Sequence, residues 1–146
     1  MLWNGNFNTS EEVAHFFSVM APLYSYFAQK NINDNNKNGS KNEVTFSIDP
    51  LNYAFKTFFR TFDYINELYK ITCKTLILCG KHDWINDPKH AVVTFKGIPN
   101  AVLKIYEDCG HFIALDQHEK YINDIFGFVN GKKIVSDISD QLFEKA

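Results

Sequence analysis

Residues Lys74–Leu115 read KTLILCGKHDWINDPKHAVVTFKGIPNAVLKIYEDCGHFIAL, and the fold is decided here. Two short apolar runs, Thr75–Cys79 and Val102–Tyr106, are bounded by turn residues and separated by about one helix of chain, Pro88–Lys96. Strand-length apolar runs alternating with a helical pattern predict a βαβ unit with a parallel sheet. The first run breaks at Gly80 and delivers Asp83; the second leads to Gly110 and delivers His111. In open parallel sheets the chemistry gathers beyond the carboxyl ends of the strands, so the acid and the imidazole are expected on one rim. A carboxylate that accepts from Nδ1–H fixes the imidazole tautomer and leaves Nε2 free to take a proton from a nucleophile. Asp83 is therefore the candidate orienting acid and His111 the candidate proton shuttle. Asp87, a competing acid, occupies the N-cap slot ahead of Pro88. His82 is expected to point away from its neighbour Asp83; His90 and His118 read as surface residues on helices, and His15 lies on an N-terminal helix.

The segments TLILCGKHDWI (75–85) and GIPNAVLKIYEDCGHFIALD (97–116) resemble the C-terminal third of α/β-hydrolases, most closely the proline iminopeptidase branch of the serine aminopeptidases. WNGNFNT (3–9), LYSYF (23–27) and FFRTFDY (58–64) are similar to the cap and cap-to-core segments of that branch. The resemblance runs from Leu2 to Val129 and implies an α/β fold: parallel strands with flanking helices, preceded by helical cap segments. It divides the chain into cap segments with an Asn-rich loop (1–50), the C-terminal part of the core (51–130) and a tail (131–146). It implies a serine hydrolase that releases N-terminal residues, proline especially, from small peptides. Asp83 and His111 would be its last two triad members, in the order found after the nucleophilic serine.

The nucleophile elbow G-x-S-x-G is absent: none of Ser10, Ser18, Ser25, Ser40, Ser47, Ser136 or Ser139 has glycines at both required positions, and neither Cys79 nor Cys109 has a glycine two residues before it. No H-G-G-G-type oxyanion motif occurs either. The chain is thus expected to supply two of three triad members, the third being encoded upstream or lost. Alternatives are another cap-bearing hydrolase (epoxide hydrolase, dehalogenase, esterase or carbon–carbon hydrolase), distinguished by the elbow residue, or a non-catalytic remnant acting as a binding module. With only two obvious strands an apolar sheet edge is left unpaired, which predicts low solubility, a homo-oligomer or dependence on a missing N-terminal half.

A hydrophobic share of 45% with 16% aromatic residues is enough for a core, and 15 basic against 17 acidic residues leave a net charge of −2. No basic patch suits a phosphate backbone, so nucleic acid is not an expected partner. No apolar run approaches the ~20 residues of a membrane span, and no membrane partner is expected. The histidine and cysteine spacings match neither H-E-x-x-H nor C-x-x-C, and no glycine-rich phosphate loop is present; no metal and no cofactor are expected. Cys73, Cys79 and Cys109 read as reduced thiols of a cytoplasmic protein.

Elsewhere, Thr9–Glu12 opens a helix with a hydroxyl cap and early acids, carried on by Val13, Phe16, Phe17, Met20 and Leu23–Tyr24 and interrupted near Pro22. The polar run Asn31–Asn42 reads as a surface loop and Val44–Ile48 as an extended piece. Asp49-Pro50 starts a helix over Leu51–Tyr69 with a broad apolar face. A last helix, Asp116–Val129, is closed by Gly131, and Lys132–Ala146 reads as an amphipathic tail.

Overall fold

The computed structural model describes residues 2–30 and 45–137. The readings made for Asn31–Asn42, for Val44 and for the end of the tail fall outside those residues. The elements are α1 (Ser10–Met20), α2 (Tyr26–Lys30), α3 (Ile48–Tyr53), α4 (Phe59–Thr61), β1 (Thr75–Gly80), α5 (Pro88–Gly97), β2 (Ala101–Tyr106), α6 (Ile113–Asp116) and α7 (His118–Val129). They fall into two compact units, one from residues 2–22 and 45–63, the other from 23–30 and 64–137. These units cut across the segments drawn from sequence: 51–63 packs in the first and 23–30 in the second.

In the first unit α1 begins as its sequence dictates, with Thr9 Oγ1 accepting from Glu12 N at 3.2 Å. Val13 and Phe7 are buried beneath it, and Phe16 and Phe17 carry an aromatic chain from Phe7 to Phe46. Asn52 holds the Phe7 peptide from both sides, Phe7 N donating to Oδ1 at 3.0 Å and Nδ2 donating to Phe7 O at 2.8 Å.

The helix expected over Leu51–Tyr69 starts as predicted but ends at Thr61. After α3 the chain widens into a π-helical stretch, Ala54–Phe58, shortens to α4, turns extended at Phe62 and resumes as a 3₁₀ segment, Ile65–Lys70. Two threonine hydroxyls bond to carbonyls of this stretch, Thr57 Oγ1 donating to Tyr53 O at 2.6 Å and Thr61 Oγ1 at 3.3 Å to Phe58 O, which also accepts from Phe62 N at 3.0 Å. The expected apolar face is correspondingly open, with Tyr53, Phe58, Phe59, Phe62, Ile65 and Tyr69 all exposed.

The second unit is built on the predicted βαβ arrangement. β1 and β2 pair in parallel, in register from Thr75 opposite Ala101 to Gly80 opposite Tyr106. α5 makes the crossover; Asp87 caps it by accepting from Lys89 N at 2.9 Å, and Pro88 occupies its first turn. Its buried Val92 packs with Cys79, Leu103 and Ile105 to form the core, flanked by Ile77, Ala91 and Phe95. Tyr106 is fully buried, its hydroxyl donating to Asp124 of α7 at 2.7 Å.

The helix expected over Asp116–Val129 forms as α7, starting at His118; the short α6 precedes it and ends at Asp116, the two being divided at Gln117 (φ −137°, ψ 46°). Phe126 and Val129 are exposed. Gly131 closes the segment at φ 75°. Beyond it, residues 132–137 run without helix, and their end meets β2: Asp137 N donates to Leu103 O at 2.9 Å, Leu103 N to Ser136 Oγ at 3.2 Å and Ile105 N to Asp137 Oδ2 at 3.2 Å.

Candidate active site

The loops leaving β1 and β2 are stitched together by their backbones. Lys81 N donates to Tyr106 O at 2.8 Å and His82 N to Cys109 O at 2.9 Å, while Lys81 and Glu107 form an ion pair above them. The contact is close because residue 80 is a glycine: a Cβ there would lie 2.1 Å from Gly110 O and 2.6 Å from Cys109 O. Register and loop closure together carry Asp83 and His111 to the same rim.

Their side chains meet. His111 Nδ1 lies 2.9 Å from Asp83 Oδ2. An ionised carboxylate can only accept, so the proton of this bond belongs to Nδ1. The other carboxylate oxygen, Oδ1, accepts from Ile85 N at 2.9 Å and Asn86 N at 3.0 Å. Asp83 is 8% exposed, and a buried carboxylate would be costly without such donors. The loop thus fixes the acid, and the acid fixes the ring. Nε2 makes no hydrogen bond among the described residues, and the His111 side chain keeps 29% of its surface accessible.

Aromatic side chains border the ring. Tyr24 stands edge-on to His111 at 5.4 Å and packs against Phe112 at 5.0 Å; Trp84 meets Tyr24 edge-on at 6.1 Å and donates its Nε1–H to Leu23 O at 2.8 Å. Trp84 and Phe112 are about half exposed and present apolar surface beside the imidazole.

The remaining candidates lie elsewhere. Asp87 serves α5 as its cap. His82 turns outward and stacks on Tyr26 at 4.5 Å, and His15, His90 and His118 are exposed. Among the described residues no group of three His, Cys, Asp or Glu side chains is placed to hold a metal ion. Cys79 and Cys109 are buried, and burial, reinforced by neighbouring carboxylates, pushes their thiols up to about 11 and about 12. Neither is a thiolate at neutral pH, so neither stands in for the missing nucleophile.

Sequence reasoning passed over Tyr24 and Asp116. Tyr24 reads in sequence as an apolar helix position and as part of LYSYF, and Asp116 as the start of a helix. Its carboxylate instead turns back toward the His111 loop, taking Ser25 Oγ–H on Oδ1 at 2.5 Å, and Tyr26 N at 2.9 Å and Gly110 N at 2.8 Å on Oδ2. No local pattern in the sequence announces a bond between residues so far apart.

An acid and an imidazole thus stand at the ends of adjacent parallel strands, the arrangement expected of an α/β-hydrolase. A family profile described as "alpha/beta hydrolase fold" matches residues 3–117, and the chain belongs to that family. It is 27% identical over 121 residues to a proline iminopeptidase, PfmaB, of Pestalotiopsis fici, an alignment covering 83% of this chain and 42% of that protein. Among solved structures it is similar to an α/β-fold hydrolase from Bacillus anthracis str. Sterne (TM-score 0.62, 20% identity, 90% of this chain and 45% of that one). An esterase from Exiguobacterium antarcticum is 30% identical, with a TM-score of 0.52, over 56% of this chain and 30% of its own. The chain therefore spans less than half the length of each of these relatives. No helix among the described residues is long and apolar enough to cross a membrane.

Proposed function

We propose that this chain is the cap-bearing, acid-and-histidine portion of a serine aminopeptidase that removes N-terminal proline or similar residues from small peptides. The observation that carries the reading is the 2.9 Å bond from His111 Nδ1–H to Asp83, a buried carboxylate, at the ends of two parallel strands. In the complete enzyme His111 Nε2 takes the proton of a serine hydroxyl as its oxygen attacks the substrate carbonyl, then returns it to the departing amine. Asp83 stays ionised throughout and stabilises the imidazolium. The serine comes from sequence outside these 146 residues, in keeping with the share of its relatives that the chain covers. The likeness to a proline iminopeptidase supports an aminoacyl substrate. The cap is assigned to the aromatic-rich N-terminal segments, and a cytoplasmic location accords with three free cysteines.

A second reading, ester hydrolysis by the same pair, is favoured by the similarity to the esterase. The test is a panel of prolyl-arylamide, other aminoacyl-arylamide and short acyl-ester substrates against the natural polypeptide and its His111→Ala and Asp83→Asn variants. Amide turnover that drops by about 10⁴ in Asp83→Asn supports the proposal, by analogy with the aspartate of another serine enzyme. Ester turnover alone selects the second reading, and wild-type rates in His111→Ala would remove both.

A further inference from the structure

We propose that Asp116 is a positioning residue that holds His111 in register with Asp83 through hydrogen bonds, not through its charge. The inference rests on the catalytic reading of the Asp83–His111 pair. Asp116 belongs to α6, yet its carboxylate spends its acceptor capacity on two other segments. Gly110 N, the amide immediately before His111, donates to Oδ2 at 2.8 Å, and Tyr26 N donates to the same oxygen at 2.9 Å. Ser25 Oγ–H donates to Oδ1 at 2.5 Å, and Ser25 is itself 3% exposed.

The bonds converge on the backbone that carries the imidazole. On its other side Phe112 N donates to Tyr24 O at 2.9 Å, so the residues before and after His111 are both anchored to the strip Tyr24–Tyr26, one through Asp116 and one directly. The strip lies so close that a Cβ on Gly110 would sit 2.8 Å from Tyr24 O. Tyr24 also sets its ring edge against the His111 ring. The carbonyl of the same Cys109–Gly110 peptide is tied on the β1 side, Cys109 O accepting from His82 N, so without the Asp116 bridge the peptide keeps that bond and loses its tie to the strip. The loop is then free to carry the ring away from a carboxylate that is itself locked by Ile85 N and Asn86 N.

Asparagine can reproduce this arrangement. With its oxygen toward Gly110 N and Tyr26 N, its amide would donate to Ser25 Oγ, which can accept as readily as it donates. Alanine can replace none of the bonds. A charge-based role would be lost in both substitutions, a hydrogen-bonding role in the second alone.

The experiment follows the Nδ1 proton of His111 by ¹H–¹⁵N NMR of the ¹⁵N-labelled natural polypeptide, assigned with His111→Gln. Wild type is expected to give a low-field Nδ1–H resonance that Asp83→Ala abolishes. Absence of that dependence on Asp83 would defeat the catalytic reading and this inference with it. Given the dependence, Asp116→Ala is expected to lose the resonance while keeping its far-UV circular dichroism, and Asp116→Asn to retain it. A resonance unchanged in Asp116→Ala makes Asp116 a contributor to stability only and overturns the inference while leaving the catalytic pair intact; loss in both variants overturns the hydrogen-bonding account. Should Asp116→Ala not fold, Ser25→Ala decides: faster exchange of the Nδ1 proton with water is expected, and an unchanged rate refutes the inference.

Discussion

Replacing Gly80 by alanine is the sharpest mechanical test of how this site is assembled. The added Cβ would lie 2.1 Å from Gly110 O, 2.6 Å from Cys109 O and 2.9 Å from Cys109 C, whereas ordinary contacts begin near 3.4 Å. All three atoms are backbone, so no rotamer change relieves the clash. The strands must separate at their carboxyl end, or the Cys109–Gly110 segment must retreat by more than an ångström. Either movement strains the backbone bond from His82 N to Cys109 O and draws His111 from Asp83. Overpacking of this kind costs about 1–3 kcal/mol, and the loss of one or two backbone bonds places Gly80→Ala at the upper end, ~3 kcal/mol. For a chain of this size that corresponds to a fall in Tm of roughly 10 °C. Thermal melting read by circular dichroism measures the cost, and the Nδ1–H resonance of His111 reports whether the pair has parted. A Gly80→Ala protein with an unchanged Tm and an unchanged His111 signal would show that the two loops are not in backbone contact, and the geometry argued above would be wrong.

Gly127 provides the opposite case: it sits within α7, and a Cβ there meets nothing nearer than Lys132 Cδ at 3.4 Å, so Gly127→Ala should raise stability by about 0.5–1 kcal/mol in denaturant titration. Leu103 is fully buried in the β2 core, and Leu103→Ala should cost about 2–5 kcal/mol by the same measurement. Asp116 carries an acid-linked term. Burial raises its carboxyl, but bonds from Ser25 Oγ and from the Gly110, Tyr26 and Phe27 amides outweigh that and hold it below its ordinary value. Because the folded value lies below the unfolded one, its contribution is complete above about pH 4 and is lost as pH falls through the folded value. Asp116→Asn should therefore flatten the pH dependence of the melting temperature below about pH 4, and an unaltered slope would remove Asp116 from the account. At about pH 8 a thiol reagent should label exposed Cys73 rapidly and the buried Cys79 and Cys109 only after denaturation; equal rates for all three would contradict the packing.

The parts of the molecule that were legible in sequence are those governed by short-range rules. The two apolar runs became β1 and β2, Asp87 with Pro88 started α5, and Gly131 took the positive φ expected of a helix-ending glycine. The approach of Asp83 to His111 followed from topology, since parallel neighbours must present their following loops at one end. What escaped was a backbone turn and a long-range contact. The aromatic pattern over Leu51–Tyr69 suggested one helix, but apolar spacing does not register the extended turn at Phe62 that ends it. The role of Asp116 was hidden because the carboxylate's partners, Ser25 and Tyr26, lie about ninety positions away in sequence.

The bonds that Ser136 and Asp137 make to β2 reach beyond local packing. They occupy Leu103 N and O and Ile105 N, the groups through which another strand would dock on that flank. Among the described residues β1 pairs with β2 and with no other strand. Growth of this ribbon into a wider one is consequently one-directional: any newcomer, from the same polypeptide or a different one, must enlist alongside Thr75–Gly80, on the flank that bears the Asp83 loop.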